Sequence, residues 1–322
     1  MARLDIDALP IPAKLRDKPL PTLDKSYHWK DFLLMVAIHL LPIGAFFTGA
    51  SWVEWTACAV LFWVRMFAVT GGYHRYFSHR TFKTSRVFQF ILAFLAMSSS
   101  QKGVLWWAAH HRKHHKYSDT PWDAHSPIRH GFWHAHLMWA YYPDNDATDY
   151  KQVRDLAKYP ELVWLNNHWK VPVVTVGVFC LVTMGLPGLF IAFGLSTALL
   201  WHATFTINSL SHVFGSRRFE TTDTSRNNFL LALLTMGEGW HNNHHHYMGS
   251  TRQGFYWWEI DMTYYILKAL SWVGIVWDLR PVPEAVLEEG RRAHTPASTA
   301  AVIDAEVARR ASGVAGPSQQ AA

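Results

Sequence analysis

The sequence predicts an all-α integral membrane fold: four transmembrane helices in two hairpins, with a helical cytoplasmic cap that holds a metal site. Three observations carry that prediction. Four apolar stretches, 32–47, 52–70 and the two halves of 171–206, each approach the ~20 residues needed to cross a bilayer. The breaks within the two pairs, 48–51 and 184–188, carry no Lys or Arg, whereas the flanks of the first pair do. By the positive-inside rule the ends of both hairpins then face the cytoplasm. Finally, 17 of the 20 histidines fall between His74 and His246, in segments on that same side.

Composition agrees. Seventeen Trp and 15% aromatic residues suit a chain with interfacial belts, and a mean hydropathy of −0.03 is what a membrane part and a polar cap average to. Cys58 and Cys180 sit in apolar runs and read as packing residues rather than a disulfide. Two cysteines cannot hold an iron–sulfur cluster, which takes about four protein ligands, so electrons must come from another cofactor or protein. The net charge of +6 forms no basic stripe interleaved with aromatics, which argues against nucleic acid.

In chain order, residues 1–30 form a basic cytoplasmic arm with no apolar run of the kind a signal peptide has. A membrane domain of 31–280 follows, and 281–322, rich in Ala, Ser and Arg, reads as a mobile tail. Within the domain, 86–97 is apolar but short, a helix for the interface rather than a span. Residues 98–170 and 213–256 are polar cap segments. Residues 257–277 carry Glu259, Asp261 and Lys268 among aromatics and read as an interfacial amphipathic helix.

The histidines repeat a spacing. His241, His244 and His245 would share one helix face, and so would His111, His114 and His115. His246 points roughly 140° away at ~100° per residue. Asn208 and His212 are four apart. His74 and His79 are five apart and share no face of a regular helix, so the end of the second span should unwind. Ten candidates are too many for one ion, and two ions of four or five ligands each fit. Imidazole suits Zn, Cu, Fe and Ni, but an all-nitrogen two-metal site beside an apolar channel fits oxygen activation and hence iron. Glu238, Asp119 and Asp123 are placed to orient the imidazole N–H groups. Phe62, Met66 and Thr70 step down the second span towards His74 at four-residue intervals, and Thr204 lies one turn before Asn208, so both spans offer a face leading to the metal. His28, His39, His168, His202 and His294 read as ordinary polar residues, and His110, His125, His130, His134, His136 and His246 as residues that either support the ligands from behind or simply belong to the polar cap.

These boxes resemble those of the integral-membrane fatty acid desaturases, in particular the acyl-CoA (stearoyl-CoA) delta-9 desaturases and above all their bacterial members. The resemblance runs through Gly72-Tyr73-His74-Arg75-Tyr76-Phe77-Ser78-His79, His111-Arg112-Lys113-His114-His115, Asn208-Ser209-Leu210-Ser211-His212 and Gly237-Glu238-Gly239-Trp240-His241-Asn242-Asn243-His244-His245, across roughly 30–280. It implies a di-iron centre held by the nine histidines with Asn208 acting through a water, and O2-dependent conversion of a saturated acyl chain to the cis olefin. It implies that Phe62, Met66, Thr204 and Phe205 line or close the acyl tunnel. His110 stands where animal members carry Asp, and Ala109 and Lys102 where they carry Arg and Asn. The carrier expected is CoA, with a phospholipid-bound chain as the alternative. No fused haem motif of the His-Pro-Gly-Gly type occurs, so a separate donor (ferredoxin, cytochrome or flavin reductase) is implied. A bacterial cytoplasmic membrane with both termini inside is the expected location. A lipid hydroxylase or alkane monooxygenase uses similar boxes. A zinc lipid hydrolase would need neither O2 nor reductant, and a metal transporter would place its ligands at mid-membrane.

Overall fold

The computed structural model describes residues 26 and 28–293. The rest of the basic arm and of the tail, with His294, lie outside that range. Among the described residues, three helical stretches are long and apolar enough to cross a membrane: α1, Trp29–Thr48; α2, Trp52–Ser78; and Lys170–His212. The last is 43 residues long and doubles back. Gly185, at φ 66° and ψ −160°, breaks it near the end of α5, Lys170–Pro187. A π-helical segment, Gly188–Leu195, then leads into the helix Ser196–Ser209. A Cβ on Gly177 would lie 3.4 Å from the Phe193 ring, so the two halves run side by side.

Local chemistry explains these limits. Pro42 cannot donate a backbone hydrogen bond, and the chain tightens to a 3₁₀ turn over Leu41–Gly44 within α1. Gly49 at φ 69° ends α1. Ser51 and Glu54 form a reciprocal capping box that starts α2. The two hairpins pack closely, since a Cβ on Gly44 would overlap the Phe190 ring at 2.5 Å. Arg65, buried inside α2, ties it to the second hairpin through Thr197 Oγ1 at 2.8 Å and to the Ser98 carbonyl at 3.3 Å. Every such partner spares the membrane interior an unpaired donor.

The remaining elements form the region that the sequence assigns to a cap. Helix α3, Arg86–Met97, is short as its sequence predicts. Helix α4, Val104–Tyr117, carries the second histidine box. The first of its two faces packs on the end of α2 through Ala108, Ala109 and Tyr73. Strands β1, Lys83–Thr84, and β2, Val276–Trp277, pair antiparallel and close the cap against itself. Two predicted segments need correction. Of 257–277, only Met262–Trp272 is helical, because Asp261 caps it by accepting from Tyr264 N at 2.9 Å and the preceding turn is held by Glu259 and Asp261. The tail is not structureless throughout: Glu284–Arg292 is a helix that seats Val286 and Leu287 on Phe219, Phe255 and Tyr256.

Candidate metal centre and its cavity

Each histidine box is positioned by a different local device. The unwinding expected after the second span takes the form of a π-helix over Ala68–Ser78, in which His79 N donates to the His74 carbonyl at 3.2 Å. Five-residue closure widens the turn and brings His74 and His79 into one cluster. The last box lies on a helix of only six residues, His241–His246. So short a helix needs outside support, and Asn227 Oδ1 supplies it by accepting from Asn242 N at 3.0 Å and Asn243 N at 3.1 Å. Asn242 Oδ1 accepts in turn from Arg218 N and Phe219 N, each at 2.8 Å. Gly237, at φ 122°, must be glycine, since a Cβ there would sit 2.5 Å from Asp261 Oδ1.

Nine of the ten predicted candidates converge in two groups. His74, His79, His111, His115 and His244 form one, and His114, His212, His241 and His245 the other. The donor nitrogens within each group lie within 4.8 Å of one another. Both boxes are split in the same way. The pair four residues apart (His111 and His115, or His241 and His245) enters one group, and the intervening His114 or His244 enters the opposite one. Asn208 lies beside both groups in the cavity wall.

Behind the rings stand four carboxylates. His114 Nδ1 donates to Asp123 at 3.0 Å, His212 Nδ1 to Asp119 at 3.0 Å and His245 Nδ1 to Asp223 at 2.6 Å, while His74 Nδ1 donates to Glu238. An ionised carboxylate only accepts, so these bonds put the proton on Nδ1 and leave a lone pair on each Nε2. Three of the four carboxylates are those the sequence points to. Asp223 is missed, for it lies far from any box in a Thr-Thr-Asp-Thr-Ser turn with no spacing that marks it.

The Nε2 atoms lie within hydrogen-bond distance of one another. His74 Nε2 and His244 Nε2 are 2.9 Å apart, His244 and His115 2.9 Å, His79 and His111 2.8 Å, and His212 and His241 3.1 Å. His245 Nε2 and His241 Nδ1 are buried with no hydrogen-bond partner. Two ligand nitrogens about 2.1 Å from one ion at right angles lie about 3 Å apart, so these separations suit a transition-metal ion. Burial holds His111, His115, His241 and His244 well below the usual imidazole range, and neighbouring imidazoles push the same way, so they remain neutral donors. The four carboxylates match two divalent ions in charge. The residues present therefore fit a pair of metal ions.

An apolar cavity adjoins the groups. Its inner part is lined by Val69, Thr70, Trp107, Ile207, Thr235 and ligand-bearing rings. Trp107, His111, Thr204 and Asn208 also line the neighbouring cavity, which continues past Gln101, Trp201 and Phe205 to Tyr141 and Trp169. Thr204 and Phe205 are among its lining residues. Phe62 and Met66 lie elsewhere. Phe62 lines an outer groove between α2 and the second hairpin, and Met66 is fully buried in the core and lines none of these cavities. The four-residue step of the second span is a packing face there, which spacing alone cannot distinguish from a tunnel wall. Trp106, Trp107 and Trp139 are cavity residues that the sequence reading passes over.

Comparison with known proteins agrees with this site. A fatty acid desaturase family profile matches residues 22–273. The acyl-CoA 5-desaturase AL21 of Anemone leveillei is 36% identical over 262 residues, covering 79% of each chain. The sn-2 palmitoyl-lipid 9-desaturase of Nostoc sp. (strain 36) is 34% identical over 231 residues, 69% of this chain and 81% of that one. The delta-9 acyl-lipid desaturase 2 of Arabidopsis thaliana is 34% identical over 271 residues, 81% of this chain and 87% of that one. On these grounds the chain belongs to the fatty acid desaturase family.

Proposed function

We propose that this chain crosses a bilayer as four helices, with the cap on the cytoplasmic side, and introduces a cis double bond at the delta-9 position of a saturated fatty acyl chain. The convergence of nine imidazoles into two groups at the wall of an apolar cavity carries this reading. The fold-back at Gly185 supports the reading of two hairpins whose histidine boxes share one end. In this reading the nine histidines hold two iron ions, with Asn208 beside them. Bound iron, with O2 and two electrons from a separate donor, supplies the oxidising power that an unactivated C–H bond demands.

The chain's own residues do the rest. Asp119, Asp123, Asp223 and Glu238 fix the tautomer and aim of the rings behind which they stand. Trp107 and Thr204 bound the passage between the two groups and the wider cavity, so they hold the acyl chain against the metal site and keep water out. Thr204 is itself fixed by Gln101, whose Nε2 donates to it at 3.0 Å. The acyl carrier is CoA or a glycerolipid: relatives named for each kind occur, and CoA is the carrier the sequence favours.

Expression in a bacterial host unable to make unsaturated fatty acids tests the proposal. Monounsaturated chains with the double bond at carbon 9 are expected in the membrane lipids. A hydroxylated chain instead of an olefin would transfer the site to the monooxygenase class.

A further inference from the structure

His125 belongs to neither of the two all-histidine groups, although it forms a third set of ligand-type atoms with His114 and Asp123, and it lies in the cavity wall. It is 6% exposed, and its Nδ1 is buried without a hydrogen-bond partner. That nitrogen stops 3.8 Å from Asp123 Oδ1, and Asp123 is already engaged: it takes His114 Nδ1 at 3.0 Å, Asp119 N at 2.9 Å and His125's own backbone N at 3.2 Å. The ring is fixed by its neighbours, with centroids 4.3 Å from His114 and 4.8 Å from Trp139. A buried imidazole held rigidly without a partner costs free energy unless something else completes it. Nearby polar groups do not. Lys102 Nζ donates to Asp146 at 2.8 Å, and His110 Nδ1 is bonded to the Trp106 carbonyl at 2.9 Å.

We propose that His125 donates a hydrogen bond to the carbonyl oxygen of the acyl ester or thioester, and so fixes how many carbons separate that carbonyl from the metal groups. The inference rests on the desaturase reading above. A saturated acyl substrate has one polar group at the head of an apolar chain, and His125 is an unfilled polar position in a wall otherwise rich in Trp. Its ring lies tilted against that of His114, a member of the second group, so a carbonyl held there lies on that group's side. The methylenes then run past Trp107, Thr204 and Asn208, which line both cavities. His125 would act as a positioning residue for regiochemistry. A CoA thioester and a glycerolipid ester share the carbonyl, so both sources remain within the same chemistry.

The test uses the full-length, iron-loaded enzyme with its reducing system. His125→Phe keeps a flat ring against His114 and Trp139 and removes the donor, and His125→Gln restores a donor. The substrates are stearoyl-CoA and vesicles of distearoyl phosphatidylcholine. For whichever the unaltered enzyme converts, His125→Phe should raise KM about tenfold, the worth of one hydrogen bond. It should also spread the double bond over neighbouring positions, with iron content and kcat little changed. His125→Gln should recover most of the KM and the single position. A matched ether or thioether chain lacking the carbonyl should not distinguish His125→Phe from the unaltered enzyme. Unchanged KM and unchanged bond position in His125→Phe would overturn the proposal, and so would loss of iron as the sole defect. If the unaltered enzyme yields no olefin from either substrate, the desaturase reading itself fails and takes this one with it.

Discussion

Asp223 Oδ2 lies 2.6 Å from His245 Nδ1, although the two residues belong to different segments of the cap and only one of them lies in a histidine box. The bond fixes the lone pair of His245 on Nε2, which is buried and has no other partner. Asp223→Ala is therefore expected to weaken metal binding by about 10–100-fold while leaving all nine histidines in place. Metal analysis of purified protein against a graded chelator series measures this, and wild-type retention would count against it.

His244 is the one member of its helix that enters the five-histidine group. His244→Ala should abolish desaturation and roughly halve the iron bound per chain, since the four-histidine group keeps its full set. Membrane insertion should be unaffected. His111→Ala should likewise abolish desaturation without loss of insertion. Product analysis by gas chromatography together with metal content separates these outcomes from general misfolding.

Arg75 sits at the centre of a buried charge cluster. Its guanidinium lies 2.8 Å from Asp261 and 3.1 Å from Glu238, and Glu238 in turn accepts from His74. Arg75→Met would leave two buried carboxylates facing each other and should cost about 3–5 kcal/mol of stability. Thermal melting in detergent reads the loss. Preserved stability would mean that one carboxylate takes up a proton.

Cavity walls make separable predictions. Met66→Ala removes a fully buried side chain from the core and should cost about 2–5 kcal/mol with no change in preferred acyl length, because Met66 does not line the cavity. Thr204→Trp narrows the passage and should depress conversion of long chains more than short ones. Profiling the products of a mixed acyl pool distinguishes the two effects.

Much of the site is legible in the sequence because helix geometry is periodic. The four-residue steps within each box announce a shared face, and the charge-free breaks at 48–51 and 184–188 announce turns of the chain. The segregation of His114 from His111 and His115 is not legible, because a face has width and only a partner on each side divides it. Asp223 is hidden for a related reason, since a carboxylate that reaches its histidine through tertiary packing leaves no spacing behind. The same holds for Phe62 and Met66: a stripe at four-residue steps describes one side of a helix without saying what fills the space opposite. Helix Glu284–Arg292 goes unread because its composition is that of a solvated tail, and few of its residues, Val286, Leu287 and Gly290 among them, meet the aromatic pocket that orders it.

The splitting of the two boxes has a mechanical consequence. Each of the helices Val104–Tyr117 and His241–His246 reaches into both groups, so the interval between the groups is set by helical pitch, about 1.5 Å of rise per residue, and not by the packing of loops. Neither group can be moved, emptied or distorted alone by a shift of either helix. The six-residue helix is the weaker of the two shared struts, and the side chain of Asn227, which belongs to no box, is what secures its first turn. A single amide thus stands as a common point of failure for both halves of the centre.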